Sequence, residues 1–318
     1  MRNVRKESGS RTAAGNRAAR TILAALTIAA ASSAAGLAGE SHHATLPDAV
    51  ELGSVAWGTD LDAATKRSAE TGRPVFLLFQ EVPGCRTCVD FGRDVLEHAL
   101  IVEAIETEFV PVAVRNNVGG REAEIRSSFR EPACNFPVVR FLGADGSELL
   151  PRRDRIWSAG GVVERMTAAL EAAGRPVPAY LSLLRSELAT DRLKTTVFAM
   201  GCYWEGEAQL GAVDGVVLTR AVWSGGSEAV EVTFDPDAVE GRELARRAEA
   251  AGCRVVRGDG SPRTAKESDQ KYSLARSELR GLALTPAQAT KVNAALRLGR
   301  DPLVWLSPRQ CAPADPQR

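Results

Sequence analysis

The sequence predicts an α/β module followed by an α+β module, and three observations carry that expectation. Short, largely apolar runs such as Val75–Phe79 and Val138–Leu142 alternate with amphipathic stretches through the first half, the pattern of buried strands covered by helices. From about Thr195 the order becomes strand, helix, two strands joined by a tight turn, helix and strand, a split βαββαβ unit. The chain has 318 residues, more than one typical domain holds, so two cores are expected.

At the N-terminus, Arg2, Arg5, Lys6, Arg11, Arg17 and Arg20 precede the apolar run Thr21–Leu37, which Gly36, Ala38 and Gly39 close. Residues 1–39 therefore read as a signal peptide cleaved near Ala38. An uncleaved membrane anchor is the alternative, because the run approaches the roughly 20 residues a spanning helix needs. Either way the protein is expected to be exported, periplasmic or secreted. His42 and His43, just beyond, read as polar spacer. Forty basic residues balance forty acidic ones, which removes the overall field that a nucleic-acid partner would require. Six cysteines in an exported chain are compatible with structural disulfides, but two of them open predicted helices, where thiols become reactive.

The first module is expected over residues 54–175. A helix over 61–71 stops at Gly72-Arg73-Pro74 before the strand Val75–Phe79. Cys85-Arg86-Thr87-Cys88 follows, opening a helix to about Leu100. Phe109–Val114 reads as a strand, Arg121–Phe129 as a helix, Val138–Leu142 as a strand, Ala144–Ser147 as a hairpin turn to a further strand, and Gly160–Ala173 as the last helix. Two residues between the sulfurs at a helix start bring both within bonding reach, with Cys85 as attacker and Cys88 as resolver. Zinc is the alternative use of the pair, with Cys134 and His98 as the extra ligands at hand. The redox reading needs neither metal nor cofactor.

Pro176, Pro178 and a helix over Tyr180–Leu188 make a linker over 176–193. The second module spans 194–318, with strands at 195–199, 216–223, 229–234 and 253–256 and helices at 204–212 and 240–251. Ser224-Gly225-Gly226-Ser227 is the tight turn that makes its middle strands adjacent. Cys202 ends the first strand's loop and opens the first helix, so the free N–H groups of that helix favour a thiolate. Cys311 lies in a proline-bounded tail expected to be mobile, and Cys253 at a core strand.

The first module resembles thioredoxin-like proteins, on its element order, the CxxC pair between strand and helix, and Phe136-Pro137 before a strand. The resemblance implies a cis-proline at Pro137 against which a substrate's backbone docks. The second resembles the A-type peptide methionine sulfoxide reductases, on Gly201-Cys202-Tyr203-Trp204 with Glu207, Val213-Asp214-Gly215-Val216, Trp223-Ser224-Gly225-Gly226 and Glu228–Pro236. That family implies a ferredoxin-like split sheet, with Cys202 attacking the sulfoxide sulfur and Tyr203 and Trp204 holding the methyl group beside Trp223. A carboxylic acid and a tyrosine of the family protonate the departing oxygen. The stretch that carries the family's acid is missing here, which leaves Glu228 or Glu205, with Asp269 and Tyr272, as stand-ins. Cys311 is the expected resolving thiol, with Cys253 as second choice.

The function expected is exported, thiol-dependent reduction of methionine S-sulfoxide in peptides or proteins, with the first module relaying electrons from an unidentified membrane or periplasmic thiol reductant. Fusing a reductant to its oxidised partner raises its effective concentration. The alternatives are a thiol–disulfide oxidoreductase whose second module is degenerate, and a binding module that grips methionine-rich proteins through Tyr203 and Trp204.

Overall fold

Two sheets organise the chain. The computed structural model describes residues 49–133, 137–255 and 261–312, so the leader, His42, His43, Cys134 and the Phe136–Pro137 peptide lie outside the described residues. The first sheet has the order β2-β1-β3, with β1 (Val75–Gln80) parallel to β2 (Val110–Arg115) and antiparallel to β3 (Val138–Leu142). Every residue of β1 and β3 is buried, because helices cover both faces and leave no polar side to alternate with.

One face carries α1 (Leu61–Thr71) and α4 (Arg121–Ser128). The other carries α2 (Arg86–Asp94), α3 (Ala99–Glu108) and α5 (Ala159–Ala172). Here Phe76 meets Trp57, Phe109 and Phe141 at 5.3–6.0 Å between ring centroids, tilted against the first and edge-to-face with the other two, contacts that add to burial itself. α1 begins at Asp60, whose carboxylate accepts from the Ala63 N–H, and ends at Gly72 in the left-handed region. The helix expected to run from the CxxC pair to Leu100 is two helices, broken over Val95–His98, with His98 as N-cap of α3. The strand expected after the Ala144–Ser147 turn shrinks to a single bridge between Leu142 and Glu148.

α6 (Ala179–Leu188) packs on α5 and leads to the second sheet, of order β7-β4-β6-β5-β8. Its strands are β4 (Lys194–Ala199), β5 (Val216–Ser224), β6 (Ser227–Phe234), β7 (Arg254–Val255) and β8 (Arg263–Thr264), and neighbouring strands run antiparallel. With α7 (Tyr203–Gly211) and α8 (Gly241–Ala250), the chain order is βαββαβ, and β8 adds an edge strand beyond the expected set.

The C-terminal third departs furthest from expectation. α9 (Tyr272–Ala275), α10 (Pro286–Arg297) and α11 (Pro308–Cys311) are helical, and α10 packs along α7 and β5. The tail expected to be mobile is fastened as far as Ala312. Ser307 and Gln310 form a capping box, the Ser307 hydroxyl and the Arg309 N–H both donate to buried Glu103 of α3, and Arg309 pairs with Glu106. A carboxylate at a helix N-terminus explains the anchorage. All described residues belong to one compact unit, and no described helix is long and apolar enough to cross a membrane.

Candidate functional site

Cys85 is the exposed N-cap of α2, and Cys88 lies one turn on, fully buried, with 3.7 Å between the sulfurs. The two thiols are driven apart chemically. The Cys88 backbone N–H, aimed at the Cys85 sulfur from the first turn, pulls the Cys85 pKa down, with help from the Cys88 thiol and Thr87. Burial pushes Cys88 up to about 11. This is the asymmetry expected of an attacking and a resolving thiol.

The loop before the pair is clamped from two sides. Glu51 accepts from the Gly84 N–H at 2.7 Å, and Asn117 accepts from the Val82 N–H and donates to the Pro83 carbonyl. Gly84 has no room for a side chain, because a Cβ there would lie 2.5 Å from the Cys88 Cβ and 2.5 Å from the Glu81 carbonyl. The Val82–Pro83 peptide is cis. Since Phe79 pairs with Val138, Pro137 falls at the same sheet edge as the CxxC loop, and its carbonyl accepts from the Trp157 indole. Among the described residues, the metal-capable group here is Glu81, Cys85 and Cys88. His98 stands at the N-cap position of α3, where burial pushes its imidazole pKa down.

The second cysteine site is assembled by strand register. Ala199 pairs with Ala229, and the Met200 N–H donates to the Glu228 carbonyl. Glu228 therefore stands at the start of α7, where its carboxylate accepts from the Tyr203 N–H at 2.8 Å. Cys202 is the half-buried N-cap of that helix and makes no cap bond of its own. The helix-start donor expected to serve the sulfur serves Glu228 instead.

Across the hairpin, Trp223 is the register partner of Glu228. Gly225 and Gly226 have φ values of 57° and 79°, a turn with both central residues in the left-handed region. Tyr203 sits beneath, with its ring 5.8 Å from Trp204 and 5.9 Å from Trp223. Trp204 stacks on Tyr272 at 4.0 Å and donates its indole N–H to the Asp269 carbonyl. Burial, then the neighbouring carboxylates of Asp269 and Glu228, push the Tyr203 phenol up to about 12. It stays protonated and able to donate.

Two locks place the Asp269–Tyr272 segment. Fully buried Glu207 accepts from the Lys271 backbone N–H at 2.9 Å and from its ammonium at 2.6 Å, and Gln270 bonds both backbone groups of Ala221. The sequence did flag Glu207, but not its partner 64 residues away. A carboxylate on the apolar face of a helix demands a buried donor, and that was the signal available. Glu51 and Glu81 gave none.

Residues 56–144 match the thioredoxin-like family model. The thioredoxin-like module so defined contains the CxxC pair and ends just beyond β3. Among curated proteins, peptide methionine sulfoxide reductase A5 of Arabidopsis thaliana is 37% identical over 65 residues, covering 16% of this chain. The chain spans about a quarter of that relative, 26% of its length. Among solved structures, a DsbH oxidoreductase is 18% identical with a TM-score of 0.32, over 40% of this chain and 90% of its own.

Of the remaining candidates, Glu205 is occupied by Gln209 and Arg297, which hold its carboxyl below the usual range. Cys253 is buried and its thiol is pushed up by that burial. It precedes Arg254, the register partner of Ala199, and so stands across from Met200, two residues from Cys202. Cys311 lies with α11, where Gln310 bonds Gln288 near the start of α10. Arg297, at the other end of α10, reaches Glu205 beside Cys202. The nine-residue step from Gln288 to Arg297 spans about 13 Å of helix. No hydrogen bond, ion pair or ring contact among the described residues joins the Cys85–Cys88 pair of the thioredoxin-like module to the Cys202 cluster.

Proposed function

We propose that the chain is an oxidoreductase acting on sulfur at two sites. Cys202 reduces methionine S-sulfoxide in peptides or proteins, and Cys85 with Cys88 exchanges thiols and disulfides. The observation that carries the first site is the gathering of one thiol, one carboxylate and one protonated phenol inside an aromatic frame at a helix start. Trp204, Trp223 and Tyr272 offer apolar faces to an S-methyl group. The Cys202 sulfur attacks the sulfoxide sulfur. As the oxygen takes a proton from Glu228 or Tyr203, methionine is released and Cys202 holds the oxygen as sulfenic acid. A second thiol then forms a disulfide with Cys202, and water leaves.

The ferredoxin-like reading of the second module rests on its βαββαβ order and β7-β4-β6-β5 strand sequence, and the partial likeness to the Arabidopsis reductase supports it. Cys85 and Cys88 are proposed to recharge the site, either in a second molecule or through a carrier thiol, fed by a membrane or periplasmic thiol reductant. Export is proposed on the leader at residues 1–39 alone. In the test, purified protein with dithiothreitol is given a methionine S-sulfoxide peptide beside a Cys202→Ser variant. Sulfide formed by the wild type and lost in the variant supports the reading, and equal sulfide in both sinks it.

A second reading is favoured by one observation, that Glu228 and not Cys202 accepts the Tyr203 N–H. In that reading the chain is a thiol–disulfide oxidoreductase and the second module only holds substrate. Disulfide reduction that survives Cys202→Ser but not Cys85→Ser, with no sulfoxide turnover, is its signature.

A further inference from the structure

We propose that the reduced CxxC loop is a zinc site with three protein ligands, the Cys85 and Cys88 sulfurs and the Glu81 carboxylate, leaving a fourth position open. The donor atoms of these residues already lie within 4.8 Å of one another, and the sulfurs are 3.7 Å apart. Sulfurs that far apart match two corners of a tetrahedron around one ion at Zn–S bonds of about 2.3 Å, and a turn of the Glu81 side chain brings its oxygen to about 2.0–2.2 Å. Glu81 directly follows β1, is half-buried, and its carboxylate makes no hydrogen bond or ion pair among the described residues. Glu51 would be the nearer guess for a ligand in this loop, but it is spent on the Gly84 N–H.

The loop is also held in place before any ligand arrives. Glu51 on one side and Asn117 on the other fix Gly84, Val82 and Pro83, and Gly84 lets the backbone close over Cys88. Little ordering is therefore left to oppose binding. Two thiolates with a carboxylate suit a borderline ion that takes a tetrahedral shell. Copper(I), which favours soft thiolates, would leave the carboxylate unused. Binding is not a redox step. Each thiol gives up a proton to solvent, two Zn–S bonds and one Zn–O bond form, and the two thiolates with the carboxylate leave the occupied site with one net negative charge. Exposed Cys85 puts the open position toward solvent, where water or a substrate thiol completes the shell. While zinc is bound, the pair cannot enter thiol–disulfide exchange.

In the test, the full chain is reduced, stripped with chelator and titrated with cobalt(II), then with zinc in competition. The expected result is one equivalent of cobalt with sulfur-to-metal charge transfer and tetrahedral visible bands, both absent from Cys85→Ser/Cys88→Ser. Loss of outer-sphere partners alone costs metal sites about 10- to 100-fold, so Glu81→Gln is expected to weaken binding by at least about tenfold. Glu81→Gln has no partner to lose in the apo fold, and circular dichroism with an unchanged Cys85–Cys88 redox midpoint checks that. Wild-type binding without charge transfer, or Glu81→Gln binding as tightly as wild type, overturns the proposal.

Discussion

Replacing Glu228 by glutamine separates the two jobs that the side chain holds at the start of α7. The amide oxygen can still accept from the Tyr203 N–H, now 2.8 Å from the carboxylate, so the backbone donor keeps a partner. What goes is the charge that the carboxylate form places at the helix start, about 0.3–1 kcal/mol of stability at a half-exposed position, and the proton that the acid form can deliver. General acid catalysis contributes roughly 10²–10⁴-fold. At about 1.36 kcal/mol per tenfold, even the low end is about 2.7 kcal/mol of transition-state stabilisation, well above the structural loss. Sulfoxide turnover by Glu228→Gln, followed by sulfide release, should fall about a hundredfold or more in kcat with KM little changed, while the urea midpoint moves by less than about 1 kcal/mol. Turnover within about threefold of wild type would refute the assignment and leave Tyr203, or solvent, as proton source.

Because a backbone N–H is the leading cause of the depressed Cys85 pKa, Cys88→Ser should leave the pH midpoint of Cys85 alkylation, measured with iodoacetamide in chelator, close to wild type and below that of a free thiol. In the wild type, Cys88 should resist alkylation until the pH nears its value of about 11. Lys291 is buried against the Gly211 and Val213 carbonyls, and its pKa falls to about 8. Its unfolded value is about 10.4, so the unfolded state binds more protons between these limits and stability rises with pH through that window. Denaturant midpoints from pH 7.5 to 10.5 should show this rise in the wild type, and a Lys291→Met variant should lack it. Glu103→Ala removes the acceptor for Ser307 and Arg309. It should cost about 1.5–3 kcal/mol, the range for a bond to a charged group, and speed Cys311 alkylation, and unchanged labelling would show that α11 is held by other contacts.

Much of the fold was legible. The run Val138–Leu142 is read to the residue because four apolar residues in five, flanked by Pro137 and Gly143, suit a short buried strand, and the one charged residue, Arg140, is buried with Glu131 as its partner. The break between α2 and α3 was not, since Val95 and Leu96 continue the apolar pattern and the interruption comes from packing against residues 50–52. There the Gly92 position leaves no space for a side chain, with the Val50 carbonyl in the way. α10 went unread although Thr285-Pro286-Ala287-Gln288 carries a capping box with proline at the first turn, a local signal that was present and unused. At the Cys202 site the motif named the thiol and its aromatics. Strand register decided that Glu228 joins them, and the bond between Glu207 and Lys271 decided that Tyr272 does. Neither is written in local spacing.

The hairpin of β5 and β6 works as a length gauge. Trp223 and Glu228 face each other only because four residues separate them, with Gly225 and Gly226 at the tip. Because the pairing of Ala199 with Ala229 holds β6 against β4, insertion or deletion of a single residue at the tip would slide β5 instead, moving Trp223 out of register with Glu228 and turning it toward the opposite face of the sheet. A turn one residue longer or shorter would therefore keep Cys202 and Glu228 together and take away the indole that faces them. The tip of the hairpin thus sets the wall of the site, while the strand beneath it holds the acid.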